Sequence, residues 1–329
     1  MKRNITKLLL PLTLFSAIGC SDNIQSGDKD VETIQLYVAG SGLSAATKAD
    51  IVPFGTTIFA STQSGVYTSL SATDEWMKDA VVAKNGSVSF KDNSKPSYPE
   101  TGGWIYLIAV APAVQTSAGN TGNGTVTYTL GDTPQDLLYA KEIRGSRWDG
   151  QRFSGNPVSA DDKPLAYEHL LTQLQFKAKM SSGTASGTTA TVKKITVNNV
   201  KTAATVKLAG GTTTFADSPT SSISLEPTSG SENGSGGVAV SGTTAVSIGN
   251  LLLPPLASGT YTITVEATVG SENRTYSDVP ITGNNLFQAG HSHVITLTIG
   301  SPGEPTSLEI TSVKVDTWTT VDKGELSTK

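Results

Sequence analysis

Residues 170–180 read LLTQLQFKAKM. Leu170, Thr172, Leu174, Phe176, Ala178 and Met180 alternate with Leu171, Gln173, Gln175, Lys177 and Lys179. Successive side chains of an extended backbone point to opposite faces, so this period of two makes a strand with one buried and one wet face. The same logic extends along the chain. Short runs rich in Val, Ile, Thr and Tyr recur between clusters of Gly, Pro, Asn and Ser, and stretches suited to helix are scarce. That is the pattern of an all-β protein built as sandwiches or barrels.

Upstream, VETIQLYV at residues 31–38 is the first strand, with Ile34, Leu36 and Val38 on one face. Asn85-Gly86 lies between DAVVAK and SVSF, and the pair predicts a type I′ hairpin turn, because both residues tolerate positive φ. GGWIYLIAVAP, residues 102–112, is continuously apolar. It predicts a strand buried on both faces, with Trp104 in the core. Downstream, VKKITVNNVKTAATVKL gives one or two strands, and residues 216–247 form a long loop or variable hairpin region. GTYTITVEATVG pairs with SENRTYSDVPI, and HVITLTIG and LEITSVKVDTW are the last strands.

The N-terminus carries Lys2, Arg3 and Lys7, then an apolar run from Leu8 to Phe15, then the small residues Ala17 and Gly19. Charged, apolar, small is the order of a secretory signal. The apolar run is shorter than the ~20 residues that span a bilayer. The single cysteine, Cys20, follows directly. Ala17-Ile18-Gly19-Cys20 resembles the lipobox of bacterial lipoproteins, which implies that Cys20 is acylated and anchors the chain, with Ser21 favouring the outer membrane. The alternative is a free or intermolecular thiol beyond a conventional cleavage site. With one cysteine no intrachain disulfide forms.

Domain sizes of ~100–200 residues suggest two domains. The reading is a signal peptide at 1–19, a flexible tether at 20–30, an N-terminal sandwich at 31–160 and a C-terminal sandwich with a polar tail at 161–329. The boundary sits in PVSADDKP, residues 157–164. Charged residues make up 16% of the chain and the net charge is −4, with no prominent basic patch, so nucleic acid is not an expected partner.

No HExxH, GxSxG, phosphate-binding loop or GxGxxG is present, so no catalytic residue and no cofactor is assigned. His291 and His293 share a strand face, yet the stretch offers no third metal ligand, so no metal site is assigned. His169 reads as a hydrogen-bonded structural histidine. Asp161 and Asp162 are adjacent and would diverge in a strand, which weakens a hydrolase reading. Trp148, in GSRWDGQRF, is the best candidate for an exposed aromatic that touches a ligand.

Several stretches together resemble the fimbrillin family of the Bacteroides–Porphyromonas lineage, the subunits and anchors of type V pili. They are Trp76, the Asn85-Gly86 turn with Val88 and Phe90, Tyr98-Pro99, WIYLIAVAP, DLLYA and PLAYEHLLTQLQFKAK, then VNNVKTAATVKL, LLLPP, FQAGHSHVITLTI and VKVDTW. The resemblance implies two tandem transthyretin-like sandwiches and no enzymatic activity. It implies partners among other pilus subunits, a host or bacterial surface ligand for adhesion, and a place on the outer membrane or in fimbriae. It also implies assembly by strand exchange, in which the first strand is removed and a strand of the next subunit fills its groove. Ile34, Leu36 and Val38 are then the inward face of the exchangeable strand. Lys48 stands where an arginine is common, and no arginine lies between Arg3 and Arg144, so Lys48 is the candidate processing site. The competing expectation is a surface lipoprotein that does not polymerise and binds glycans.

Overall fold

The computed structural model describes residues 32–39, 53–68, 74–114, 123–131, 135–148, 150–153, 155, 163–184, 187–227, 236–281, 287–300 and 308–317. Every regular element among them is a strand. In chain order these are β1 (Val38–Ala39), β2 (Phe54–Ser61), β3 (Trp76–Val82), β4 (Val88–Phe90), β5 (Ile105–Ala111), β6 (Thr125–Thr129), β7 (Leu138–Gly145), β8 (Leu165–His169), β9 (Thr172–Met180) and β10 (Thr189–Lys201). They continue with β11 (Ala203–Lys207), β12 (Thr213–Phe215), β13 (Thr220–Leu225), β14 (Val238–Ser241), β15 (Val246–Leu253), β16 (Thr262–Val269), β17 (Glu272–Pro280), β18 (His291–Ile299) and β19 (Leu308–Thr317). The described residues belong to one compact unit, Glu32–Lys329. Cys20 and Lys48 lie outside the described residues, as do Asp161 and Asp162.

The alternation that opened the sequence becomes β9. Thr172, Leu174, Phe176, Ala178 and Met180 are buried, and Gln173, Gln175, Lys177 and Lys179 are half-buried. β9 is an inner strand of the sheet β15-β9-β18-β19. It runs antiparallel to β15 and parallel to β18, from Ser292 opposite Gln173 to Ile299 opposite Met180. Its inward side chains share a core with Val192, Ile195 and Val197 of β10 and with Ile263 and Val265 of β16. Those strands belong to the sheet β13-β10-β16-β17, in which β14 also pairs with β10. Residues 220–225 and 238–241, read as loop or hairpin, thus supply two ladders on β10.

The first half forms a seven-stranded sheet, β1-β8-β7-β5-β2-β3-β4. β5 lies at its centre and is buried on both faces, which removes any selection for alternation. Ile105, Leu107 and Ala109 enter one core with Ile58, Val82 and Leu165. Ile108 and Val110 enter another with Phe59, Tyr139, Val126 and Val206. The second of these cores is closed by the small sheet β12-β11-β6. Trp104 departs from expectation. It precedes β5 and is half-buried. The Arg144 guanidinium carbon sits 4.7 Å from its ring centroid and Lys163 Nζ 5.8 Å away, as cations sit over an aromatic face.

β8 follows residue 160, yet it pairs with β7 and β1 in the first sheet. Leu170 N then donates to the Leu137 carbonyl at 2.8 Å, and the chain enters the second sheet at Thr172. Leu171 stays in the core of the first half. The reverse crossing occurs at β10 and β11. Asn199 has φ 55°, and the pairing register shifts between Val197 and Val200. β11 therefore leaves the second core and pairs with β6 of the first half. Phe176 is wholly buried, so Phe176→Ala should lower unfolding free energy by about 3–5 kcal/mol. Lys177→Ala should stay within about 0.5 kcal/mol, and urea unfolding of both checks the assignment of faces.

Candidate functional site: the groove filled by residues 32–39

Among the described residues no long strand covers one side of the first core. Residues 32–39 cover it instead. Ile34, Leu36 and Val38 are 4%, 4% and 0% exposed, while Gln35 between them is exposed. The period of two read from the sequence is therefore real here. Each such burial contributes ~1.5–3 kcal/mol. The three side chains pack in one core with Ile58, Ala80, Val82, Tyr98, Phe153 and Tyr167.

The backbone of this segment is tied more lightly. Among the described residues its regular ladder covers Val38 and Ala39, parallel to Leu165 and Ala166. Isolated bridges join Thr33 to Ser97 and Tyr37 to Ser87. Ile34 N donates to the Pro96 carbonyl at 2.7 Å and Val38 N to the Gly86 carbonyl at 2.9 Å. In return, Tyr98 N donates to the Glu32 carbonyl at 3.2 Å and Leu165 N to the Tyr37 carbonyl at 2.9 Å. By contrast, β9 is paired along both edges from Gln173 to Ala178.

The Asn-Gly turn is part of the seat. Of its two residues only Gly86 has positive φ, at 85°. Gly86 N donates to the Ala83 carbonyl at 2.8 Å and Ala83 N to the Ser87 carbonyl at 2.9 Å. This is a three-residue hairpin loop with a glycine in the left-handed position, not the expected type I′ turn. Asn85 instead accepts, through Oδ1, from Ser87 N at 3.1 Å and Ser87 Oγ at 2.8 Å. A longer loop brings Gly86 against the segment. A Cβ at Gly86 would lie 2.4 Å from the Tyr37 ring and 2.8 Å from the Val38 carbonyl.

The loop after β7 covers the start of the segment. Phe153 stacks on Tyr98 at 5.8 Å and 15°, and its N–H donates to the Tyr98 hydroxyl at 2.6 Å. Burial pushes the Tyr98 phenol up to about 12, so it stays neutral. Arg152 forms an ion pair with Glu32. Gly155 lies over Gln35, where a Cβ would approach the Gln35 Cβ at 2.9 Å. Glu32 stands in line with Ile34, Leu36 and Val38 in the sequence, whereas no periodic pattern there marks Arg152, Phe153 or Gly155. The available signal was the clustering of arginine: Arg144, Arg147 and Arg152 are three of the chain's five.

The other sequence candidates fall elsewhere. Trp148 is 61% exposed. Its indole N–H donates to the Gly102 carbonyl at 3.0 Å, and its ring lies against Gly102, which has φ 74°. His169 Nδ1 meets Asp136 Oδ2 at 2.6 Å. His291 Nδ1 lies 3.0 Å from the Ala289 carbonyl. His293 has no exposed surface, packs 5.0 Å from the Phe287 ring, and has no partner for either ring nitrogen. Among the described residues no group of three acidic, His or Cys side chains could hold a metal ion.

A model of the fimbrillin-like family matches residues 47–318. No curated protein sequence matches the chain. Solved structures resemble it in fold. A proposed cell adhesion protein of Bacteroides uniformis is 19% identical, with TM-score 0.56, covering 87% of this chain and 98% of that one. A proposed cell adhesion protein of Bacteroides ovatus is 15% identical, with TM-score 0.56 and coverages of 89% and 99%. A fimbrial protein of Bacteroides vulgatus is 13% identical, with TM-score 0.52 and coverages of 87% and 99%.

Gly86→Ala adds a left-handed strain of about 1–2 kcal/mol and collides with the segment. It should lower the melting temperature and speed amide exchange at Ile34 and Val38, whereas Asn85→Ala should leave those amides close to native. His293 gives a pH dependence. Burial, and then the neighbouring His291, hold its imidazole below the ordinary value of 6.5. The unfolded chain then takes up a proton that the folded chain refuses. Stability from neutral His293 is present above about pH 6.5 and is lost as pH falls below it. Thermal melts at pH 7.5 and 5.5 should show a smaller acid loss for His293→Phe than for the native chain.

Proposed function

The chain belongs to the fimbrillin-like family, and on that premise we propose that it is a structural or accessory component of type V pili at the cell surface. It assembles by β-strand exchange through the groove now filled by Ile34, Leu36 and Val38, and serves adhesion rather than catalysis. One observation carries the reading: the segment completes a core through its side chains, yet its regular ladder spans two residues. Such a segment can be replaced by another of the same spacing, because alternate side chains set register while backbone bonds add affinity. Residues 31–160 together with β8 supply the groove, and residues 161–329 form a second sandwich body, with β11 returning to the first half. Processing at Lys48 would free the segment. The acylated Cys20 would hold the chain to the outer membrane, since two or more acyl chains anchor stably. The partners are other pilus subunits and a surface ligand.

A second reading is a solitary surface lipoprotein that binds glycans, favoured by the exposure of Trp148. Loss of glycan pull-down in Trp148→Ala would support it. The deciding measurement is a gel of surface-sheared material, unboiled and boiled, probed for this chain. Exchange predicts a ladder that collapses on heating, and Lys48→Ala should abolish it. A single band found only with outer membrane, and lost from it in Cys20→Ala, would mean that the segment stays in place and the chain does not polymerise.

A further inference from the structure

The groove has chemistry beyond its apolar floor. Among the described residues Arg152 makes a charged contact with the segment: its partner is Glu32, two residues ahead of Ile34. Arg152 does not sit on a loose loop. Ser146 N donates to the Gln151 carbonyl at 2.9 Å, and Gln151 N to the Trp148 carbonyl at 3.0 Å. Trp148 is fixed to Gly102, and Arg147 Nη1 donates to the Glu100 carbonyl at 2.8 Å. Arg152 Nε donates to the Arg147 carbonyl at 3.1 Å. On the far side, Phe153 is anchored in the core on Tyr98, and Gly145 allows that ring to sit within 2.8 Å of where a Cβ would be. Arg152 is thus held between two anchored residues at one end of the groove. Gly155, three residues after Arg152, closes over the outward side chain at position 35.

We propose that Arg152 makes the groove selective for charge as well as for apolar spacing. The groove takes an extended segment in which a carboxylate precedes, by two residues, the first of three alternating apolar side chains. Its own residues 32–38 meet that rule, and the partner it fits is a segment of another subunit with the same order of carboxylate and apolar positions. The inference rests on the exchange reading above. The physical basis is that apolar side chains every second residue fix which face is down but tolerate a slip of two residues, whereas one charge pair at a defined position does not. Half-exposed pairs contribute little affinity, but a like charge at the same place is repulsive and rejects the wrong partner.

The test uses the full chain and two labelled synthetic peptides, VETIQLYVA and the same peptide with Glu32→Lys. Each is incubated with the chain below its melting temperature, and retained label is read on unboiled gels. The first peptide should be taken up ~5- to 10-fold more than the second, and Arg152→Glu in the protein should reverse the preference. Equal uptake, or no reversal, overturns the proposal. Failure of both peptides to enter counts against exchange in the uncut chain, and the measurement on Arg152 alone then decides the proposal. Arg152 is then tested alone by amide exchange at Ile34 and Val38 in the full chain. Exchange should be several-fold faster in Arg152→Glu and return toward native in the Glu32→Lys, Arg152→Glu double variant. Unchanged exchange in the single variant overturns the role given to Arg152.

Discussion

The first core is closed by side chains whose own backbone is barely woven into the sheet. Ile34, Leu36 and Val38 are buried as deeply as the residues of β2 and β5, yet few main-chain bonds hold the segment that bears them. Apolar burial is proportional to area and indifferent to chain connectivity, so the core needs three side chains at two-residue spacing and not this particular stretch of chain. The rest of the first half is arranged around those three side chains. Gly86 brings a hairpin against Tyr37 and Val38, the Pro96–Tyr98 strip receives Ile34, and β8 lends its free edge to Val38.

Much of the fold could be read from residues alone, for a definite reason. Where a strand has one dry face, as in β9, alternation is enforced and visible. Where it has two, as in β5, the run is uniformly apolar and equally telling. Period two says which way a side chain points but not which strand lies beside it. The parallel pairing of β9 with β18, more than a hundred residues later, therefore left no trace. Nor did the passage of β8 into the first sheet, because a half-buried strand looks alike in either. Trp104 was misplaced for a related reason: its apolar neighbours belong to β5, while the tryptophan stands just before the strand and serves two cations.

The floor of the groove was legible and its rim was not. Ile34, Leu36 and Val38 announce themselves by spacing. Arg152, Phe153 and Gly155 act from more than a hundred residues away through a loop of irregular shape, and nothing periodic marks them. The Asn-Gly pair was read as a turn but assigned one residue too short. Asn85 satisfies its neighbours' polar groups instead of adopting positive φ, and the extra residue is what lets Gly86 reach the segment.

The small sheet β12-β11-β6 joins residues 125–129 to residues 203–207. Its middle strand emerges from the same run, across a bend at Asn199, that supplies the second core. The first half thus keeps part of its architecture, β8 and β11, in the second half's stretch of sequence. A gene fragment encoding the first half alone would produce a body with a bare edge at β7 and an uncovered apolar floor where β11 lies. The first half must consequently be inherited, duplicated and recombined together with the stretch that follows it.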